Sequence, residues 1–251
     1  MEKNKNNSKI IIALVAVIVI LAGVLVFIIT QKSNDDDKDS NSTSASDTVI
    51  NETTAEPSDN TEQTTEEITS ENSDVEFSLG EIDGNVYTNK YFDLTFTKNK
   101  SWYYYTKSEI ANLMNVTVDV LELPVDEIFN SSATVIDMVV TDLSTTDNIN
   151  IGYQNLNTLN LGEMSEEDYY VATKAQLEQI STMKVVFDDD TGYVKLGNND
   201  YYRCSCLTQT GNVSMTQYLY FRNVNGYMIT ITVSLSKNSD VQITEFEAMF
   251  S

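Results

Sequence analysis

The chain contains no histidine at all. That absence removes Ser-His-Asp and Cys-His nucleophilic catalysis, His-ligated zinc or haem, and imidazole-based pH sensing. Cysteine is nearly missing too: Cys204 and Cys206 alone, spaced C-x-C in a stretch that alternates like a strand. Alternation turns both side chains to one face. Buried free thiols, a strained or intermolecular disulfide, and a metal site short of ligands are the available readings. Extended backbone strains a disulfide between residues two apart, and there is no further Cys or His to complete a metal site. Cations are scarce as well, 15 Lys and Arg against 38 Asp and Glu, for a net charge of −23. An acidic exterior disfavours nucleic acid and anionic headgroups, since both require neutralisation by Lys or Arg. Carboxylate, Lys or Tyr chemistry stays open, but no motif assigns a catalytic, cofactor-binding or metal-ligating residue.

One hydrophobic run organises the rest. Ile10–Ile29 reads IIIALVAVIVILAGVLVFII, twenty residues without charge. As a helix it covers about 30 Å, the thickness of a bilayer's hydrocarbon core. A cleaved secretory signal has a shorter apolar core, about 7–15 residues, and ends in an A-x-A-like site. Thr30, Gln31, Lys32 and Ser33 offer no such site. The run therefore predicts an uncleaved signal-anchor that partners the lipid bilayer. Lys3, Lys5 and Lys9 precede it, while Asp35, Asp36 and Asp37 follow. The positive-inside rule then puts residues 1–9 in the cytoplasm and the bulk of the chain outside the cell.

After the span (10–30), residues 31–80 hold two Lys and 14 acids among Ser, Thr and Asn. Low hydrophobicity with high charge cannot offset the entropy of ordering, so this is read as a disordered spacer. About 45 such residues reach on the order of 35–40 Å. The folded head is read as 81–251. Asp83-Gly84 marks a turn, and Phe92, Leu94 and Phe96 alternate with polar residues in a two-strand opening. Thr106-x-x-Glu109 is a capping box for a helix bearing Ile110, Leu113 and Met114. A short helical turn follows around Asp126–Phe129, then strands over Thr134–Leu143 and Asn148–Gln154. Ser165 starts the clearest helix, running to about Met183 with Tyr170, Thr173, Leu177 and Ile180 inward. Strands alone come next, at 184–187, 192–196, 201–208, 215–221 and 227–236. Asn225-Gly226 is the strongest hairpin signal, and Ser239 caps a last helix carrying Ile243, Phe246 and Phe250. The order predicts an α+β head, a mostly antiparallel sheet with helices packed on it.

The opening GNVYTNKYFDLTFTKNKSW, the capped central helix and the closing hairpin FRNVNGYMITITVSL resemble the Mog1/PsbP-like α/β/α-sandwich superfamily. Tyr87, Asn89, the Tyr91-Phe92-Asp93-Leu94-x-Phe96 strand and Trp102 carry the likeness. Residues 98–101 depart from the Pro/Gly-containing turn the family often places there. The resemblance implies a Gram-positive bacterial protein whose extracytoplasmic domain binds or assembles rather than catalyses.

Two acidic clusters have plain readings. Asp188-Asp189-Asp190-Thr191-Gly192 lacks calcium-loop spacing and is a charged turn, and Glu166, Glu167 and Asp168 occupy a helix's first turn, where its dipole favours acids. Trp102, Tyr103, Tyr104, Tyr105, Tyr201 and Tyr202 form a dense aromatic set. If exposed together they make a recognition surface; the plain alternative is core packing. The leading expectation is an anchored, non-catalytic binding module for an envelope protein, peptide or glycan. Alternatives are an envelope-polymer hydrolase using two carboxylates and a small-ligand carrier with a closed cavity.

Overall fold

The alternating residues that open the head form three short strands: β1 (Glu81–Asp83), β2 (Val86–Asn89) and β3 (Leu94–Thr97). The structure, a computed structural model, describes residues 76–131, 134–237, 239 and 241–251. The expected tail, the span Ile10–Ile29 and residues 31–75 of the spacer lie outside them. No described helix is long and apolar enough to cross a membrane.

The first three strands make a small antiparallel sheet of their own, one strand more than the sequence suggests. β4 (Trp102–Tyr104) is a short edge strand that the aromatic run concealed. Thr106 then starts α1 (Lys107–Met114) with both halves of the capping box in place, and Asn115 ends it in the left-handed conformation. A 3-10 turn leads to α2 (Val125–Ser131), which begins directly after Pro124.

β5 (Thr134–Asp142) and β6 (Asn148–Asn155) follow, and Ser165 caps α3 (Glu166–Leu177). That helix stops six residues short of Met183, with turns taking over beyond Glu178. β7 (Lys184–Phe187) and β8 (Gly192–Leu196) both pair with β9 (Asn199–Thr210), end to end along it. The triple-Asp segment is therefore a jump between two stations on one partner strand, rather than the turn of a hairpin. β10 (Val213–Val224) and β11 (Tyr227–Ser236) close on Asn225 and Gly226, whose φ of 50° and 84° suit a two-residue hairpin turn. Last comes α4 (Ile243–Glu247), capped at Gln242. The Ser239 hydroxyl instead donates to Asp147, and Ser251 pairs with Thr95 beside β3.

The main sheet runs β4-β5-β6-β11-β10-β9-β7, with every pairing antiparallel. The expected α+β architecture is what forms. Ile229, Ile231, Val233 and Leu235 of β11 face one side, where β1–β3, α2 and α4 contribute the main core. Met228 and the Thr/Ser positions face the other, flanked by α1 over β5 and α3 over β9 and β10. Both faces are buried.

Packing also begins before residue 81. Phe77, placed in the spacer by composition, is only 8% exposed and stacks on Tyr227 at 4.1 Å. A lone aromatic in a polar run carries no periodic signal, which is why composition assigns it to the spacer.

Candidate functional site

The site grows from an irregularity in β5. Pairing with β6 runs in register to Ile136, then resumes one residue late at Met138 opposite Ile151. Asp137 is the extra residue of this bulge. A bulge re-aims side chains, and here it sends Asp137 to the Tyr87–Tyr153 side of the sheet, the face that Met138 also packs against. Asp137 Oδ2 accepts from the Gly80 N–H at 2.7 Å and the Tyr87 hydroxyl at 2.6 Å. Tyr87 in turn accepts from the Tyr153 hydroxyl at 2.6 Å, because its own proton is committed to the carboxylate. Asn89 Nδ2 donates to Tyr153 at 3.1 Å and to the Ser78 carbonyl at 3.0 Å, while its Oδ1 accepts from Phe92 N–H.

Burial pushes the Asp137 carboxyl up to about 6, against the pull of its Tyr87 and Gly80 hydrogen bonds and of the Lys107 charge. Burial likewise drives both phenols well above their ordinary value, so Tyr87 and Tyr153 stay neutral donors. The chain of bonds clamps residues 78–80 to the head. Gly80 is required there, because a Cβ at that position would strike the Tyr87 ring.

An aromatic layer separates this network from solvent. Phe92 stacks on Tyr153 at 5.0 Å, and Phe77 meets Tyr153 edge-on at 5.5 Å. Tyr91 stands edge-on to both Phe77 and Tyr227. Outside this layer lies a cleft of about 480 Å³ lined by Glu76, Phe77, Tyr91, Asp126, Asn225 and Tyr227, with Pro124 and Val125 at its wall. Its volume is that of a ligand pocket.

Asn225, at the hairpin tip, also lines a second cleft of about 490 Å³ with Asn157, Gly162, Glu163, Asn223 and Gly226. The Asn157 amide fills the space over Gly162 and Gly226, where any Cβ would collide with it, and donates to the Asn225 carbonyl at 2.9 Å. A third recess beside it adds Asp168 to Asn157 and Glu163. All three open to solvent at the β10–β11 end of the molecule. What this surface offers is aromatic rings, side-chain amides and carboxylates in a row.

The aromatic set singled out in the sequence does not make a surface. Trp102, Tyr105, Tyr201 and Tyr202 are buried, Tyr104 is half-buried, and only Tyr103 is exposed, at 39%. The Trp102–Tyr105 run lies at the β4 edge, whereas Tyr201 and Tyr202 sit on β9 near the other edge and face opposite sides of the sheet. Their size makes them core material: Trp102 packs on Phe246 at 5.5 Å and Tyr202 on Tyr170 at 5.6 Å. The aromatics that do line a cleft, Phe77, Tyr91 and Tyr227, come from a strap, a turn and a strand start. No local pattern gathers them; Tyr91 and Tyr227 flank turn signals and that is the only hint.

Cys204 and Cys206 are free and buried on one face of β9, as the alternation implies. Burial raises both thiols, Cys206 to about 12, which makes them inert packing groups. Among the described residues no cluster of three or more His, Cys, Asp or Glu could hold a metal. Glu166 accepts from the Asn223 N–H at 2.9 Å as well as sitting in the first turn of α3.

No protein-family model matches the sequence, and no curated protein is similar to it. Among solved structures the chain is similar to a Bacteroides thetaiotaomicron protein, at 10% identity and a TM-score of 0.33 over 63% of this chain. It spans 44% of that protein's length. It is also similar to the cyanobacterial PsbP of Synechocystis sp. PCC 6803, at 12% identity and a TM-score of 0.38, over 71% of this chain and 95% of that one.

Proposed function

We propose that this protein is a non-catalytic binding module, tethered to the cell membrane through Ile10–Ile29 and displayed outside the cell on its acidic spacer. The observation that carries the binding reading is the row of clefts around the β10–β11 hairpin tip, where Asn225 joins an aromatic cleft to an amide-lined one. Exposed aromatic and amide groups recognise envelope proteins, peptides or glycans without supplying a nucleophile. The buried Tyr87–Asp137–Tyr153 chain behind the cleft has the form of a support, holding the strap residues that complete it.

A photo-reactive side chain at position 124, on the cleft wall, tests this in intact cells. Cross-linking there to one envelope component, with none from the same probe at the exposed Val171 on α3, supports the reading. Equal labelling from both positions, or none from either, contradicts it. Proteolysis of intact cells tests the topology: the head is digested if it projects outward and survives if it does not.

The carboxylate-hydrolase reading draws on Glu163 and Asp168 lining one recess. It requires release of sugar or peptide fragments from envelope polymer that Glu163→Gln abolishes.

A further inference from the structure

The aromatic cleft has a charge of one sign. Glu76 enters from the strap and Asp126 from the first turn of α2, both lining it with Tyr227, and among the described residues no Lys or Arg lines it. Both carboxylates are exposed, while Phe77 and Tyr91 beneath them are about nine-tenths buried. Their fields converge on one place: the Tyr227 phenol is raised first by burial and then by Asp126, Tyr91 and Glu76. Tyr227 has one face stacked on Phe77 and makes a T-shaped contact with Tyr91. An anion entering here would meet repulsion from both carboxylates. A neutral apolar group would bury against the rings but leave two carboxylates to be desolvated beside it. A cation on an apolar stem satisfies both features, its stem on the rings and its head between the acids.

Resting on the binding reading above, we infer that the cleft takes the side chain of a lysine or arginine presented by a basic peptide segment of a partner. Asp126 and Glu76 hold the ammonium or guanidinium group, and Tyr227 with Phe77 carries the methylene stem. A peptide is favoured over an isolated amine because Asn225 also lines the neighbouring cleft, where the exposed Asn157 amide and Glu163 carboxylate suit hydrogen bonding to a peptide backbone.

The test is calorimetric titration of the full chain in zwitterionic nanodiscs with a blocked Lys/Arg-Ala peptide, its Glu-Ala counterpart and a neutral Gln-Ala one. Saturable binding of the basic peptide alone is expected, weakened about fivefold by the double variant Glu76→Gln/Asp126→Asn, which removes two solvent-screened ion pairs. Tyr227→Ala should weaken it further. The double variant Asp188→Asn/Asp189→Asn changes net charge equally far from the cleft and should leave affinity unchanged. If both double variants weaken binding alike, diffuse acidity is responsible and the inference fails. Binding of the neutral peptide that depends on Tyr227 but ignores Glu76 and Asp126 overturns the cation assignment while leaving the binding module intact. A glucosamine oligomer outcompeting the basic peptide would also overturn the peptide assignment. No binding of any probe at Tyr227 removes both readings.

Discussion

Two sets of buried polar groups, one on each side of the main sheet, are handled differently. On the face toward β1–β3, Tyr87, Asn89, Asp137 and Tyr153 form one chain in which each hydroxyl and amide has a partner. On the other face, along β6 and β11, the Asn150 amide, Thr232 Oγ1, Ser236 Oγ and Gln154 Nε2 are buried without a hydrogen-bond partner among the described residues. One strand serves both sets: β6 sends Tyr153 one way and Asn150 and Gln154 the other. Polarity alone therefore says little about what a buried group contributes. A satisfied network fixes geometry, whereas an unpartnered group costs about 1–3 kcal/mol of desolvation. The difference assigns the two sets separate jobs. The satisfied network positions the strap and the cleft, and the unpartnered groups are tolerated.

Substitutions on the two faces should separate sharply. Tyr87→Ala removes both a fully buried ring and the centre of the network, and should cost about 3–5 kcal/mol in denaturant unfolding. A loss under about 1 kcal/mol would break the contrast. Tyr153→Phe keeps the ring but takes one hydrogen-bond partner each from Asn89 and Tyr87, for a loss of about 1–3 kcal/mol. Hydrogen exchange at residues 78–80 should quicken in the same variant.

Asp137 gives the contrast a pH dependence. Its folded value, about 6, lies above the ordinary carboxyl value, so the folded head binds the proton more tightly than the unfolded chain. Its contribution is therefore most favourable below about pH 4 and is lost progressively as pH rises through 6. Asp137→Asn should flatten that slope, with unfolding midpoints at pH 5 and pH 7.5 converging; an unchanged slope would assign it to other groups. The smallest effect is expected opposite, where Thr232→Val replaces an unpartnered hydroxyl by a methyl of the same shape. It should be neutral or stabilise by up to about 1 kcal/mol, and a clear loss would mean that the hydroxyl has an unseen role.

Much of the sheet was legible because its signals are local. The Thr106–Glu109 capping box, the Asn225-Gly226 turn and the period-2 alternation of β11 each arise from a few adjacent residues. α3 was read too long because Ile180 and Met183 continue its apolar spacing, although turns replace the helix after Glu178. The cleft was illegible for the opposite reason. Phe77, Tyr91, Asp126 and Tyr227 are brought together from four segments, and Asp137 reaches the network only through a bulge that no composition announces. The run Trp102–Tyr105 leaves surface and core open because aromatics serve interfaces and cores alike, and nothing in its spacing tells which.

The most direct trial of a ligand cleft at the hairpin end is hydrogen exchange on the full chain in membranes, with and without added envelope material. Slowed exchange confined to residues 76–80, 124–127 and 223–227 is the expected result. Protection centred on the outer surface of α3 instead, or no protection anywhere in the head, would contradict it.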